Sequence, residues 1–173
     1  MVELTELNKA LCDAATGRGM CEAVAAKWRG DLSRRELVEL FTSPQGIEFY
    51  EVSHFLDLGL AKAAFTREEL HGGGVYVDED VTGAKGHVYL LGACHGELRA
   101  SGYDVLTVHA TGKSEVKIVA DGLSKVIVDL CDEASAEIKA SDGALCFARV
   151  ADMARATGDC FVRNRKIVRD ESK

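Results

Sequence analysis

Alternating polar and apolar positions, separated by turn residues every ten positions, run from Gly86 to about Val150. The recurring turn positions hold Gly92, Gly102, Gly112, Gly122, Asp132 and Asp142. Apolar or small residues keep the same phase between repeats, as in the column Leu98, Val108, Ile118, Val128, Ile138 and Ala148. Period-two alternation is typical of strands with one buried face, and a fixed step is typical of stacked copies of one unit. The pattern predicts a ladder of short strands.

Ten-residue strand-turn units can form two architectures. In an antiparallel meander each unit pairs with the next, whereas in a β-solenoid two units form one coil and parallel pairing links units twenty residues apart. Twenty-residue spacing would stack complementary charges in two columns, which are Glu97, Lys117 and Glu137, and His109, Asp129 and Arg149. We therefore predict a solenoid, with an antiparallel meander covered by helices as the alternative.

The N-terminal part of the chain, 1–72, shows the spacing of short amphipathic helices. The segments predicted to be helical are 4–15, 20–28, 34–42, 46–58, 60–65 and 66–71. Ser33 with Glu36, and Thr66 with Glu69, match the capping box that opens a helix. Helices this short are marginal alone and need a surface to pack on. We predict an α+β fold in which a helical region, 1–72, packs on a β-solenoid region, 73–168, followed by a charged tail, 169–173.

One outward column of the predicted ladder is apolar rather than polar. It contains Thr107, Ile127 and Phe147 and is flanked by Val105 and Leu145. A continuous apolar stripe on a sheet marks a surface that is covered in the working protein. Two explanations remain open: the N-terminal helices pack on the stripe, or it is the interface of a homo-oligomer or of a protein partner.

Composition narrows the classes of partner and compartment. The chain has 173 residues and a net charge of −7, which disfavours nucleic acid and anionic membranes as partners. The longest apolar runs are shorter than a membrane span, and the acidic start differs from a signal peptide. We expect a cytoplasmic protein whose six cysteines are thiols rather than disulfides.

Motifs that carry chemistry are absent from the sequence. It contains no nucleophile elbow, P-loop, dinucleotide fingerprint, Cys-x-x-Cys or His-Glu-x-x-His. Cys94 and His95 are adjacent, so on a strand they would point to opposite faces, and neither they nor Cys131 form a recognisable metal motif. A metal-dependent protein that uses Cys94, His95 or Cys131 is a third and less favoured hypothesis. We predict no catalytic residues, metal or cofactor, and an enzyme is the less favoured class.

A competing hypothesis uses the polar outward positions of the ladder. Glu97, His109, Asp129 and Glu137 are exposed candidates for a carbohydrate-binding or carbohydrate-active face. Two carboxylates about 5–10 Å apart in a cleft would favour that hypothesis. A flat face with a ladder of charges would count against it.

The order of segments also resembles a family of small helix-plus-β-repeat proteins from gut bacteria and their mobile elements or phages. The matching pieces are Trp28, the segment 46–49, and the link formed by 69–71 and 74–79 before repeats such as 114–118 and 124–128. The resemblance implies the same architecture and a bacterial or phage setting, and it implies no active site. Together the patterns predict a non-enzymatic structural or protein-interaction module.

Overall fold

The computed structural model describes residues 2–28 and 30–169. The chain divides into two compact units. We call Met1–Gly73 together with Val168–Lys173 the helical unit, and Gly74–Ile167 the solenoid unit. Among the described residues, no helix combines the length and the apolar character needed to cross a bilayer.

The described part of the helical unit forms six short helices. They are α1 (Leu4–Gly17), α2 (Glu22–Ala25), α3 (Arg34–Phe41), α4 (Pro44–Ser53), α5 (Leu58–Ala64) and α6 (Arg67–Gly72). Both predicted capping boxes form, at Ser33 with Glu36 and at Thr66 with Glu69. In each, the glutamate side chain accepts from the backbone N–H of the cap residue at 2.8 Å.

Two predicted helix boundaries differ from the structure for identifiable reasons. Pro44 does not delay the fourth helix until position 46, because it occupies the first turn, where a missing N–H costs nothing. The Ser43 hydroxyl caps this helix by accepting from Gly46 N at 3.1 Å. The helix is closed by His54, whose φ of 47° is left-handed, so the predicted continuation to 58 is wrong. The second predicted helix, 20–28, is reduced to α2.

The solenoid unit, whose residues are all described, contains eleven strands in two parallel sheets. Sheet A has the order β1 (Val75–Val77), β3 (His87–Leu91), β5 (Val105–Ala110), β7 (Lys125–Leu130), β9 (Leu145–Val150) and β11 (Phe161–Asn164). Sheet B has the order β10 (Arg155–Gly158), β8 (Ser135–Ala140), β6 (Glu115–Ala120), β4 (His95–Ala100) and β2 (Asp80–Thr82). The pairing is parallel throughout. The solenoid prediction is confirmed and the antiparallel meander is wrong.

The register explains why ten-residue units build parallel sheets. Val108 pairs with Val128, and Ile118 pairs with Ile138, so partners lie twenty residues apart and successive units alternate between the sheets. The inward side chains of both sheets share one core, in which Val108, Val128 and Ile138 are fully buried. Each coil therefore buries two apolar faces at once, which a single ten-residue unit could not do.

The coils at both ends are shorter than the middle ones. Val75 pairs with Tyr89, and Phe161 pairs with Phe147, so these partners are closer in sequence than the partners of the middle coils. The strand β2 was not predicted, because it lies before the ten-residue repeat that begins at Gly86. In the predicted solenoid region, 73–168, the last strand is β11, which ends at Asn164.

Only the first residue of the predicted charged tail, 169–173, lies within the described part of the chain. Arg169 Nε donates to Glu51 O at 3.1 Å within the helical unit. The rest of the predicted tail, 170–173, lies outside the described residues.

Candidate functional site

The outward side of sheet A carries the apolar stripe that the sequence indicated. Successive partners in one row are His87, Thr107, Ile127, Phe147 and Phe161. Neighbouring parallel strands lie about 4.8 Å apart, so side chains adjacent in the row are neighbours. The rings of Phe147 and Phe161 stack at 5.6 Å between centroids.

A second outward row lies beside the first. It contains Val105, Lys125 and Leu145 as register partners. The apolar residues of both rows, together with Thr107, form a surface that we call the apolar patch. Its residues are Val105, Thr107, Ile127, Leu145, Phe147 and Phe161. Ile127 is 37% exposed, Phe147 is 45% exposed and Thr107 is partly buried. The five residues predicted as an interface thus lie together on one side of one sheet.

The sixth member, Phe161, was not predicted as part of this surface. It is 69% exposed, and it joins the row because β11 pairs with β9 at a shorter sequence offset than the middle strands of sheet A have. The ten-residue rule therefore could not place it. A signal was nonetheless present, since an aromatic residue begins the last apolar segment after Gly158.

The third outward row of sheet A is polar and buried in part. Its register partners are Tyr89, His109, Asp129, Arg149 and Arg163. The Tyr89 and His109 rings stack at 5.2 Å, and His109 Nδ1 lies 3.7 Å from Asp129 Oδ2. Arg149 Nη2 donates to the same oxygen at 2.5 Å. Burial raises the pKa of the Tyr89 phenol, so this ring stacks in its ordinary protonated state.

The carboxylate of Asp129 is only 1% exposed. A carboxylate taken out of water is tolerated when a cation and hydrogen bonds compensate for the lost hydration. Arg149 supplies that charge from the adjacent strand. Asp129 is therefore explained as a structural member of the sheet rather than as an exposed binding residue.

The four polar candidates do not share one face. His109 and Asp129 lie in sheet A, whereas Glu97 and Glu137 lie in sheet B. In sheet B, Lys117 stands between the two glutamates as the register partner of both. Lys139 Nζ also lies 3.5 Å from Glu137 Oε1. The sequence pattern identified the two columns that contain these residues, but the hypothesis of one polar face combined columns that lie on different sheets.

The cysteine and histidine candidates are also separated. Cys94 is buried, and its Sγ contacts Tyr76 O and Leu91 O, each at 3.4 Å. Burial raises the pKa of this thiol, which disfavours the thiolate that a metal requires. His95 is exposed and its Nδ1 lies 3.5 Å from Asp80 Oδ1.

Cys131 belongs to a different group, at a turn. Ligand atoms of Cys131, Asp132 and Asp152 lie within 4.8 Å of one another. However, Asp132 Oδ2 accepts from Gly112 N at 2.8 Å, and Asp152 Oδ2 accepts from Asp132 N at 3.1 Å. Each aspartate thereby ties its turn to the turn twenty residues earlier. These bonds account for the two carboxylates as stabilisers of the coil.

The site is thus an exposed apolar patch next to a partly buried polar row on one sheet of a solenoid. Comparisons of the chain with protein-family models, curated proteins and solved structures find no match.

Proposed function

We propose that this chain is a non-enzymatic protein-interaction module that self-associates through the apolar patch on sheet A. The observation that carries the proposal is the row of adjacent, exposed apolar side chains centred on Ile127 and Phe147. Single exposed apolar residues are ordinary on a protein surface, whereas a contiguous row is typical of an interface. Except for Phe161 on the edge strand β11, the patch lies on parallel strands that pair on both sides, so little conformational entropy is lost on binding.

Sheet B offers an internal comparison for this proposal. Its outward rows are mostly charged, with Glu97, Lys117 and Glu137 in succession, and Val119 is an isolated exposed apolar residue between Arg99 and Lys139. The contrast between the two sheets supports sheet A as the binding side. The carbohydrate-binding alternative has less support, because its four candidate residues are split between the sheets.

The test is the mass in solution of two matched variants. We expect the wild-type chain of 18.6 kDa to show a mass that rises with concentration by light scattering. Ile127→Asp with Phe147→Asp should lower that mass, because buried carboxylates at an interface would lack partners. Val119→Asp is the control, since it adds the same kind of charge to the other sheet. A mass equal to one chain for the wild type at every concentration, or equal masses for all three proteins, would exclude the patch as a self-association surface.

The resemblance to helix-plus-β-repeat proteins would place such a module in a bacterial or phage setting. That setting, the cytoplasmic location and the packing of the helices on the solenoid remain predictions.

A further inference from the structure

The C-terminal end of the solenoid leaves an open edge on both sheets. The last strand of sheet A is β11 and the last strand of sheet B is β10. Within the described part of the chain, each pairs on one side only, β11 with β9 and β10 with β8. The outer edge of a strand presents N–H and C=O groups that can pair with another chain.

This end also exposes a position that belongs to the core. Val162 pairs with Ala148 and continues the inward row that contains Val108 and Val128. Ala148, Val108 and Val128 are at most 1% exposed. Val162, in contrast, is 50% exposed. All four residues of β11 are exposed. Within the solenoid unit, the apolar core therefore continues to the last strand without a cover.

We propose that a second copy of this chain covers the end by pairing its own β11 with β11 in antiparallel orientation. In an antiparallel pair, directly opposed side chains point to the same side of the sheet. When a strand pairs with a copy of itself across a two-fold axis, this condition is met only if one residue lies opposite the same residue of the other copy. With Val162 at the axis, the two valine side chains meet on the core side. Phe161 then lies opposite Arg163 of the other copy on the outward side.

The charges at this end are compatible with that arrangement. Arg163 faces an aromatic ring, which attracts a guanidinium group, rather than the other Arg163. Like charges are thus not brought directly opposite each other in sheet A.

The N-terminal end of the solenoid differs from the C-terminal end, and this difference favours contact between the C-terminal ends of two copies. Val75 and Val77 of β1 are 1% and 5% exposed, although Val75 lies in an outward row with Tyr89. In sheet A the strand β1 is thus buried, unlike β11, and offers no matching surface for a head-to-tail contact with β11. A closed two-fold dimer is therefore favoured over an open filament.

The inference goes beyond the proposed function and does not depend on it, because it uses a strand edge rather than the patch centred on Ile127 and Phe147. Phe161 belongs to both surfaces, so the test leaves it unchanged in the decisive variants. Val162 is half-exposed, and its replacement should leave the fold of each copy intact.

The decisive experiment is cross-linking of Val162→Cys with itself. It is made in a background with Cys12→Ser, Cys21→Ser and Cys160→Ala, since Cys94, Cys131 and Cys146 are buried. Opposed Cα atoms in antiparallel pairs are about 4.5–5.5 Å apart, within the span of a disulfide. We expect a covalent dimer on mild oxidation. Arg163→Cys alone in the same background is the matched control, because its copy lies two positions along the strand and should cross-link much more slowly.

A second experiment measures the mass in solution of two lysine variants. Val162→Lys should lower the mass in solution, since an inward-pointing charge at an edge opposes pairing, and Val119→Lys should not. Cross-linking should persist when Ile127→Asp and Phe147→Asp are added, because these substitutions leave the outer backbone edge of β11 and Val162 unchanged. Equal cross-linking of the Val162→Cys and Arg163→Cys proteins, or an unchanged mass for Val162→Lys, would overturn the inference. Loss of cross-linking in the patch variant would also overturn it, and would assign self-association to the patch alone.

Discussion

Arg149 Nη2 donates a 2.5 Å hydrogen bond to Oδ2 of Asp129 on the neighbouring strand of sheet A, where the carboxylate is almost completely buried. The guanidinium is half-exposed, so water still reaches one side of the pair. A similar pair joins β4 to the turn after β6, where Arg99 Nη2 donates to Asp121 Oδ2 at the same distance. The two pairs differ in burial, and that difference decides how much each contributes.

Removal of the Arg149 side chain should therefore destabilise the protein more than removal of the Arg99 side chain. We expect Arg149→Ala to cost about 1–3 kcal/mol, because the buried Asp129 loses its charged donor. Arg99→Ala should cost less than about 1 kcal/mol, as is usual for exposed pairs. Chemical denaturation with the same denaturant measures both. Equal costs would mean that the burial of Asp129 has no energetic consequence.

Alanine substitutions of two turn glycines allow the cost of backbone strain to be measured separately from the cost of steric contact. Gly102 and Gly122 both have positive φ, at 62° and 68°. A Cβ on Gly102 would meet no atom within 4 Å, whereas a Cβ on Gly122 would lie 2.9 Å from Gly102 N. We expect Gly102→Ala to cost about 1–2 kcal/mol from φ alone. Gly122→Ala should cost more, because the coils must also move apart, and thermal melting of both variants would show the difference.

The aspartates that replace glycine in later turns make a related prediction. Asp132 has a φ of 58°, and its carboxylate accepts from Gly112 N at 2.8 Å. Asp132→Gly keeps the conformation and loses the hydrogen bond, while Asp132→Ala loses the bond and retains the strain. Alanine should therefore be more destabilising than glycine by about 1 kcal/mol. The opposite order in denaturation midpoints would contradict this account of the turn.

Alkaline pH should weaken the fold through its buried thiols. Burial raises the pKa of Cys94 and of Cys146 above the ordinary value of 9.0. The folded chain therefore retains these protons after the unfolded chain has begun to lose them, so their contribution to stability is constant below about pH 8.5 and falls as the pH rises further. Denaturation midpoints across this range measure the slope. Cys94→Ala should reduce the slope, and an unchanged slope would show that this thiol does not contribute.

The same burial predicts the order in which the cysteines are alkylated. Cys21 is exposed and should react first, and Cys94 and Cys146 should react only when the protein is unfolded by denaturant. Mass spectrometry of samples quenched over time distinguishes the sites. Reaction of Cys146 at the rate of Cys21 in the native protein would show that the core of the solenoid opens readily.

The local sequence determined the ten-residue repeating unit, its parallel pairing and the face on which each side chain lies. The twenty-residue column Glu97, Lys117 and Glu137 was sufficient to favour parallel pairing, because charge alternation is meaningful only between true neighbours. The capping boxes at Ser33 and Thr66 were also readable, since each depends on residues three positions apart. The five residues of the predicted interface came from period-two alternation, which assigns a side chain to a face without further information.

Only the tertiary structure showed the features that the ten-residue repeat and its alternation do not predict. Phe161 joins the apolar patch because the last coil is shorter than the repeat predicts, and Val162 lies at an open edge because β11 is the last strand of sheet A. Alternation labels Asp129 and Glu137 alike as outward, yet they lie in different sheets, and Asp129 is buried. The repeat by itself fixed the direction of each side chain, because that depends only on backbone periodicity. The register of the shorter end coils and the burial of individual outward positions depended on contacts between residues distant in the chain.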